Sequence, residues 1–184
     1  LLASLADKFL LQRNSDDRYE LHELLRRYLN AKLEGSPEVE ATRRRHLSFF
    51  SRLAHEAEPG LRGAEQAKWL SRLEAEHGNL RAALRWSLRS QDAEVKKSGL
   101  KLAGHLWWVW FLRGYWGEGR NWLAAAGDRE TSPLWAEVFS GAGWLALFHG
   151  EDKWLIQFSL ESLAAYQGTG DKASVAILLD NLGM

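Results

Sequence analysis

The stretch from Ser98 to Ala126 limits the fold most, because its first half is apolar on nearly every side. Between Leu100 and Leu112 the large apolar residues are too closely spaced to share one stripe of a helix with 3.6 residues per turn. A helix of this kind must be covered by neighbouring elements. Arg113-Gly114-Tyr115 predicts a break, and Trp116 to Ala126 predicts a second helix that runs back along the first. We therefore expect a helical hairpin inside a larger array.

Composition indicates a soluble globular protein. The chain has 184 residues, 46% of them hydrophobic and 26% charged, so it can bury a sizeable core. Lys101, His105 and Arg113 interrupt the most apolar segment before it reaches the roughly 18 residues that a membrane span needs. No signal peptide is recognisable after Leu1, and the absence of cysteine excludes disulfides and thiolate metal sites. We expect a cytoplasmic protein with no membrane partner.

The balance of charge argues against nucleic-acid binding by this chain. Its formal net charge is +0, whereas a broad nucleic-acid interface is basic. Arg43-Arg44-Arg45 is a short basic run, but three consecutive positions spread around a helix and usually face solvent. We expect no direct contact with nucleic acid. Because the chain starts at Leu1 and the segment Leu178 to Met184 ends within an apolar helical pattern, we also expect it to be part of a longer protein.

The first third of the chain predicts helix, hairpin and helix. Leu1 to Lys8 has helical spacing, Phe9 to Arg13 is extended, Asn14 to Asp17 is a turn cluster, and Arg18 to His22 alternates like a returning strand. A helix from Glu23 to Leu33 follows and ends at a glycine. Four apolar residues of this helix are spaced for a core: Leu24, Leu25, Tyr28 and Leu29. This order of elements is that of the back half of a winged helix.

The remaining chain divides into a linker and a helical region. Polar residues 35–42, with Pro37, predict a linker between a domain at 1–34 and a domain at 43–184. His46 to Glu58 is amphipathic and should end at Pro59-Gly60. Five of its residues should point inward: Leu47, Phe50, Leu53, Ala54 and Ala57. Ala64 to Arg89 is rich in helix formers, and Gly78 predicts a break within it.

A repeat follows. Gly104, Gly143 and Gly183 lie in similar surroundings about 40 residues apart, and Gly114 and Gly150 mark the turns of two helical pairs. The mid-helix glycine should let a partner helix approach closely. The pattern predicts a mainly α fold, a tetratricopeptide-like solenoid of helical hairpins after a partial winged helix with a small β-hairpin.

Two stretches resemble the STAND signal-transduction ATPases, the NB-ARC-type class that includes bacterial transcriptional regulators. LASLADKFLL followed by RYELHELLRRYL resembles the end of their winged-helix module. Lys68 to Trp86 resembles the WLxRLExEHDNLRAALxW segment of the STAND activators, with Gly78 in place of the usual Asp. The resemblance implies a sensor and coupling segment of a regulatory ATPase. Its partners would be the nucleotide-binding domain of its own parent chain and an effector or protein bound by the solenoid.

The resemblance also gives His22 a role. In the family a Met-His-Asp triplet at a strand-to-helix junction places a histidine against the phosphates of ADP, and Leu21-His22-Glu23 occupies the matching place. His22 would then contact ADP in the intact protein, whose cofactor would be ADP or ATP. On residue type alone, a histidine at a strand end is more commonly structural. No GxxxxGK[ST] loop is present, so we expect neither a cofactor nor ATP hydrolysis in this chain.

No catalytic or metal motif is recognisable. His22-Glu23 begins like HExxH, but Arg26 stands where the second His is required. Three other histidines are too far apart in the sequence to match the spacing of a metal-binding motif: His46, His55 and His77. Glu74 and Glu76 lie two apart on a helix and point to different faces, which is poor geometry for an acid–base pair. We predict no catalytic residue and no metal site.

The ten tryptophans leave two interpretations open. Most should fill gaps between helices, but solenoids also present concave surfaces that bind ligands. Trp108 lies opposite the other aromatic residues of its helix, so we predict that it faces a partner-binding groove with His105 and Arg113. An alternative function, a helical-repeat adaptor with no nucleotide role, would have no need of the first 33 residues.

Overall fold

The computed structural model describes residues 2–8, 10–13, 18–125, 133–150 and 152–169, together with positions 172, 175, 176 and 179. The described part contains nine helices and one two-stranded hairpin. In chain order they are α1 (Leu2–Asp7), β1 (Gln12–Arg13), β2 (Tyr19–Glu20), α2 (Glu23–Glu34), α3 (Val39–Leu61), α4 (Gln66–Ala75), α5 (His77–Arg89), α6 (Ala93–Arg113), α7 (Trp116–Ala125), α8 (Pro133–His149) and α9 (Asp152–Thr169). None of these helices combines the length and the apolar character that a membrane crossing needs.

Two compact units make up the chain, Leu1–Arg43 and Arg44–Met184. The division falls within α3. Residues 39–42, predicted to belong to a linker, are the first turn of this helix. They contain neither glycine nor proline, so the helix can extend back to the turn at Ser36, whose hydroxyl accepts a hydrogen bond from the Glu38 backbone N–H.

The first unit contains the predicted helix, hairpin and helix. β1 pairs antiparallel with β2, so that Gln12 lies opposite Glu20 and Arg13 opposite Tyr19. The strands are shorter than predicted, and the turn at 14–17 lies outside the described residues. α2 ends at Gly35, whose backbone N–H donates to the carbonyl oxygen of Leu33.

The apolar face of α2 is exposed, which contradicts the predicted core positions. Leu24 is 71% exposed, Tyr28 58% and Leu29 42%, and no residue of α2 is buried. The described neighbours in this unit are a six-residue helix and two strands of two residues. Elements of that size have too little surface to cover a twelve-residue helix.

The predicted inward face of α3 is confirmed, since all five of its predicted residues are buried. The predicted end at Pro59 was wrong, because α3 continues through it to Leu61. A proline near the end of a helix removes only one backbone hydrogen bond, which limits the disruption. A Cβ atom on Gly60 would overlap the indole of Trp69. Gly60 therefore allows Trp69 to pack directly on the last turn of α3.

Helix α6 is the centre of the second unit. It packs against α5, α7 and α8, which explains how a helix that is apolar on most sides is covered. Asp92 caps its N-terminus by accepting hydrogen bonds from the backbone N–H groups of Glu94 and Val95. At its other end Gly114 has a φ of 72°, the left-handed conformation that glycine adopts without strain.

The helices after α5 form pairs. Turns at Gly114 and Gly150, both with positive φ, join α6 to α7 and α8 to α9, and α8 packs on α6 and α7. This arrangement confirms a mainly α fold with a helical solenoid and a small β-hairpin. The third glycine of the repeat, Gly183, lies outside the described residues, and of the terminal segment from Leu178 only position 179 is described.

The closest helix contacts involve other glycines than those of the repeat. A Cβ atom on Gly104 would lie 3.4 Å from Val138 Cγ2, and one on Gly143 would lie 3.3 Å from Ser159 Oγ. On Gly99 the Cβ atom would instead lie 2.7 Å from the Cβ atom of Ser87, and on Gly119 it would lie 2.7 Å from the Trp110 ring. Gly99 and Gly119 therefore set how closely α5, α6 and α7 approach one another.

Candidate functional site

His22 is the N-cap residue of α2. Its φ is −56° and its ψ is 141°, and its Nδ1 atom accepts a long hydrogen bond of 3.4 Å from the backbone N–H of Leu24. In a neutral ring this places the proton on Nε2, which can then donate a hydrogen bond. The side chain is exposed. Glu23, the next residue, forms ion pairs with Arg26 and Arg27 at 3.5 and 3.0 Å.

The three predicted groove residues, His105, Trp108 and Arg113, have different contacts. The Nδ1 atom of His105 lies 2.9 Å from Glu58 Oε2 on α3. Arg113 Nε lies 3.2 Å from Glu74 Oε2 on α4. Two different helices thus engage these side chains.

Trp108 packs among aromatic residues of its own helix. Its ring stacks on Phe111 with centroids 4.9 Å apart and meets Trp107 edge to face at 5.0 Å. The guanidinium of Arg62 lies 5.3 Å from its ring centroid. The indole Nε1 is buried and has no hydrogen-bond partner among the described residues. These contacts favour the packing interpretation for Trp108.

A polar network centred on Glu118 joins α5 to α7. Arg81 Nε donates to Glu118 Oε1 at 2.7 Å, and the Arg81 Nη2 atom donates to Oε2 of the same carboxylate. Trp122 Nε1 also donates to Oε1, at 3.1 Å. His77 Nε2 lies 3.4 Å from this oxygen but forms no hydrogen bond with it. The Glu118 carboxylate therefore accepts a bidentate pair of hydrogen bonds from Arg81 and a third hydrogen bond from the indole of Trp122. Bidentate arginine–carboxylate pairs have high geometric specificity.

Glu74 holds a second part of this network. It accepts a hydrogen bond of 2.7 Å from the Tyr115 hydroxyl through Oε1 and pairs with Arg113 through Oε2. The rings of His77 and Tyr115 are stacked, 5.1 Å apart and inclined by only 5°. Together, the contacts of Glu74 and Glu118 attach α4 and α5 to the hairpin formed by α6 and α7. We call these contacts the junction network: Glu74, His77, Arg81, Arg113, Tyr115, Glu118 and Trp122.

Three residues of the junction network, Glu74, His77 and Arg81, belong to the segment Lys68 to Trp86 that resembles the STAND activators. The resemblance marked the segment, but its contacts with Tyr115 and Glu118 could not be read from the sequence because they join distant positions. Glu76, in contrast, accepts a hydrogen bond from Asn79 of its own segment at 2.7 Å. Glu74 and Glu76 thus have separate partners.

The electrostatics of the network fit a structural role. Burial tends to raise the pKa of the Glu118 carboxyl, but hydrogen bonds from Arg81 and Trp122 and the charge of Arg81 lower it below its ordinary value. The hydrogen bond with Glu118 raises the pKa of Arg81, and the hydrogen bond with Glu74 raises the pKa of Tyr115. These shifts move the groups away from neutral pH, whereas a general acid or base works best with a pKa near it.

The cavity beside the network is small. It has a volume of about 10 Å³ and lies between apolar residues such as Leu73 and Leu106 and the polar groups of the network. That is about the volume that one water molecule requires, far below the size of a metabolite pocket. An open cleft of about 260 Å³ lies between α3 and α6, lined by residues that include Ser51, Ser98 and Lys101.

One group in the described part of the chain could hold a metal ion. His55 and Glu58 on α3 lie beside His105 on α6. The sequence shows no metal-ligand spacing for this group because the third residue, His105, comes from a helix that is distant along the chain.

Comparison with known proteins identifies relatives over part of the chain. Three proteins whose names describe them, provisionally, as HTH-type transcriptional regulators are each 34% identical to it over 127 residues. Two come from Mycobacterium tuberculosis, strains H37Rv and CDC 1551, and one from Mycobacterium bovis. The match covers 66% of this chain but only 14% of each relative. No protein-family model matches the chain, and no solved structure matches it significantly.

Proposed function

We propose that this chain is the sensor and coupling segment of a STAND-type signal-transduction ATPase that acts as a transcriptional regulator. The similarity over 127 residues to proteins named as HTH-type transcriptional regulators supports the regulator part of the proposal. The STAND part rests on the resemblance of the segment Lys68 to Trp86 to the STAND activators. Because the chain spans 14% of those relatives, the DNA-binding part and the nucleotide-binding domain would lie elsewhere in the intact protein. This chain would itself be neither the enzyme nor the part that contacts DNA.

Because the first unit resembles a winged-helix module, we propose that it contacts the bound nucleotide. The exposed His22 at the start of α2 offers an Nε2–H donor next to the helix N-terminus, where anions are favoured. In the intact protein this donor would bind a phosphate of ADP held by the nucleotide-binding domain. The exposed apolar face of α2 would then be one of the surfaces available to that domain.

The junction network supports coupling within the second unit. It attaches α4 and α5 to the first helical pair through Glu118 and Glu74. An effector or protein partner bound to the solenoid would therefore act on a hairpin that is fixed to the STAND-like segment. Binding would bias the nucleotide-binding domain only if the effector had different affinities for its ADP and ATP states.

The first test is to read the open reading frame upstream of Leu1. The proposal expects a GxxxxGK[ST] loop within a few hundred residues, because a STAND ATPase requires one to bind phosphates. A complete upstream frame without this loop would contradict the ATPase proposal. It would favour a helical-repeat adaptor, whose exposed apolar residues on α8 and α9, such as Phe148 and Ile156, would be the surface to probe.

Replacing His22 by alanine in the intact protein is expected to weaken ADP binding by roughly 10-fold to 100-fold, the effect of losing one hydrogen bond to a charged group. Calorimetric titration of the nucleotide-free protein with ADP measures this directly. His46→Gln is the matched control, because His46 lies on α3 within the second unit. Equal ADP affinities for wild type and His22→Ala would show that His22 only caps α2.

A further inference from the structure

The side chains of His55, Glu58 and His105 form a compact group of metal-binding donors on the second unit. His55 and Glu58 are three residues apart on α3, so they share one face of the helix. His105 reaches them from α6. One ligand atom of each residue lies within 4.8 Å of the other two.

The three side chains are in direct contact with one another through His105. His105 Nδ1 lies 2.9 Å from Glu58 Oε2, and the rings of His55 and His105 have centroids 4.9 Å apart. A hydrogen bond between α3 and α6 needs only Glu58 and His105. The second imidazole, placed on the same face by the three-residue spacing, completes a set of three donors.

Two imidazoles and one carboxylate are the protein ligands of many zinc sites that keep a fourth position for water or another ligand. Zinc bonds of about 2.0–2.2 Å place neighbouring donor atoms of a tetrahedron about 3.4 Å apart. Donor atoms already within 4.8 Å can reach that spacing through small side-chain rotations. Exposure also fits, because His55 faces solvent while the side chains of Glu58 and His105 are 29% and 24% exposed.

We propose that His55, Glu58 and His105 bind one divalent transition-metal ion, zinc above all, which links α3 to α6. The donor set excludes Ca²⁺ and Mg²⁺, because these ions prefer oxygen ligands. The bound ion would stabilise the start of the solenoid by binding only the folded chain. This site shares no residue with the junction network or with His22, so it does not depend on the proposed function.

Calorimetric titration of the chelator-treated 184-residue chain, made without a polyhistidine tag, tests the proposal with ZnCl₂. We expect one ion per chain and an increase in the thermal unfolding temperature on binding. Titration with Co²⁺ gives a second readout, since cobalt bound to nitrogen and oxygen donors in a tetrahedral site shows intense visible absorption. MgCl₂ at the same concentration should change neither quantity.

The decisive variant is His55→Gln. The exposed His55 can be replaced without loss of the hydrogen bond between Glu58 and His105, so the variant should fold like the wild type. Its zinc affinity should be on the order of tenfold or more lower, and the cobalt spectrum should change. Glu58→Gln should weaken binding by a similar factor. His46→Gln, which removes another histidine of α3, should leave zinc affinity unchanged.

Two results would overturn the proposal. One is the absence of stoichiometric zinc binding at micromolar concentrations by a wild-type chain shown to be folded by circular dichroism. The other is an equal loss of zinc affinity in His46→Gln and His55→Gln, which would assign the binding to scattered surface histidines.

Discussion

Replacing Gly99 by alanine is expected to lower the free energy of unfolding by about 1–2 kcal/mol, although alanine is the better helix former. The new Cβ atom would lie 2.7 Å from the Cβ atom of Ser87, which is fixed to the backbone of α5. Ser87 is fully buried and its hydroxyl donates to the Ala83 carbonyl at 2.8 Å, so it cannot turn away. Overpacking of this kind costs about 1–3 kcal/mol or more, against a gain of about 1 kcal/mol in helix propensity. Urea unfolding followed by circular dichroism measures the difference.

Two further variants isolate this steric cause. No atom beyond its own helix and chain neighbours lies within 4 Å of a Cβ atom built on Gly78, so Gly78→Ala should stabilise α5 by roughly 0.5–1 kcal/mol. Adding Ser87→Gly to Gly99→Ala should recover part of the lost stability, because it removes the Ser87 side chain that the new Cβ atom would overlap. A Gly99→Ala chain as stable as wild type would mean that α5 and α6 pack less closely than described.

Replacing Glu118 by glutamine is expected to cost about 2 kcal/mol of unfolding free energy at pH 7. Glutamine keeps the shape but loses the charge that receives both Arg81 contacts, and its amide cannot accept at both positions. The Trp122 hydrogen bond should weaken with it. Denaturant unfolding of the two chains at pH 7 gives the value.

Glu118→Gln should also make the free energy of unfolding less dependent on pH in the acidic range. The folded chain lowers the pKa of Glu118 below its ordinary value of 4.5, so the unfolded chain binds this proton more tightly. The stability that Glu118 contributes is therefore complete above about pH 5.5 and is lost as the pH falls through 4.5 towards the folded pKa. The stability difference between the wild type and Glu118→Gln should thus shrink as the pH falls through 4.5 towards the folded pKa of Glu118.

Glu56→Gln is the matched control for the charge. Glu56 pairs with Arg52 at 3.7 Å on the exposed face of α3, and such surface pairs contribute about 0.5 kcal/mol or less. A constant difference between wild type and Glu118→Gln from pH 7 to pH 3 would contradict an ionic role for Glu118.

Local signals predicted the secondary structure well. The polar break at Arg113-Gly114 ends α6 because only glycine adopts the left-handed conformation there without strain, and the amphipathic spacing of α3 gave its buried face correctly. Pro59 was misleading because a proline near a helix end interrupts little. The spacing in α2 was also read correctly as an apolar face, but spacing does not reveal whether a neighbour covers that face.

These local sequence patterns could not predict contacts between residues that are far apart in the chain. The repeat drew attention to Gly104 and Gly143, yet α5 and α6 approach more closely at Gly99, whose partner Ser87 belongs to no recognisable sequence pattern. Resemblance marked Arg81 but not Glu118, because the pairing depends on how α7 is placed against α5. Each of these features depends on which helix faces which, a property of packing and not of any local segment.

The turn of two residues between α6 and α7 also has a fixed length. One added residue would rotate α7 by about 100° and move it by about 1.5 Å along its axis. Glu118 would then leave Arg81, and Gly119 would no longer face the ring of Trp110. Insertions and deletions at this turn should therefore destabilise the fold more than substitutions do. Because α8 packs on α7, the length of the turn also determines how the next helical pair is oriented on the first.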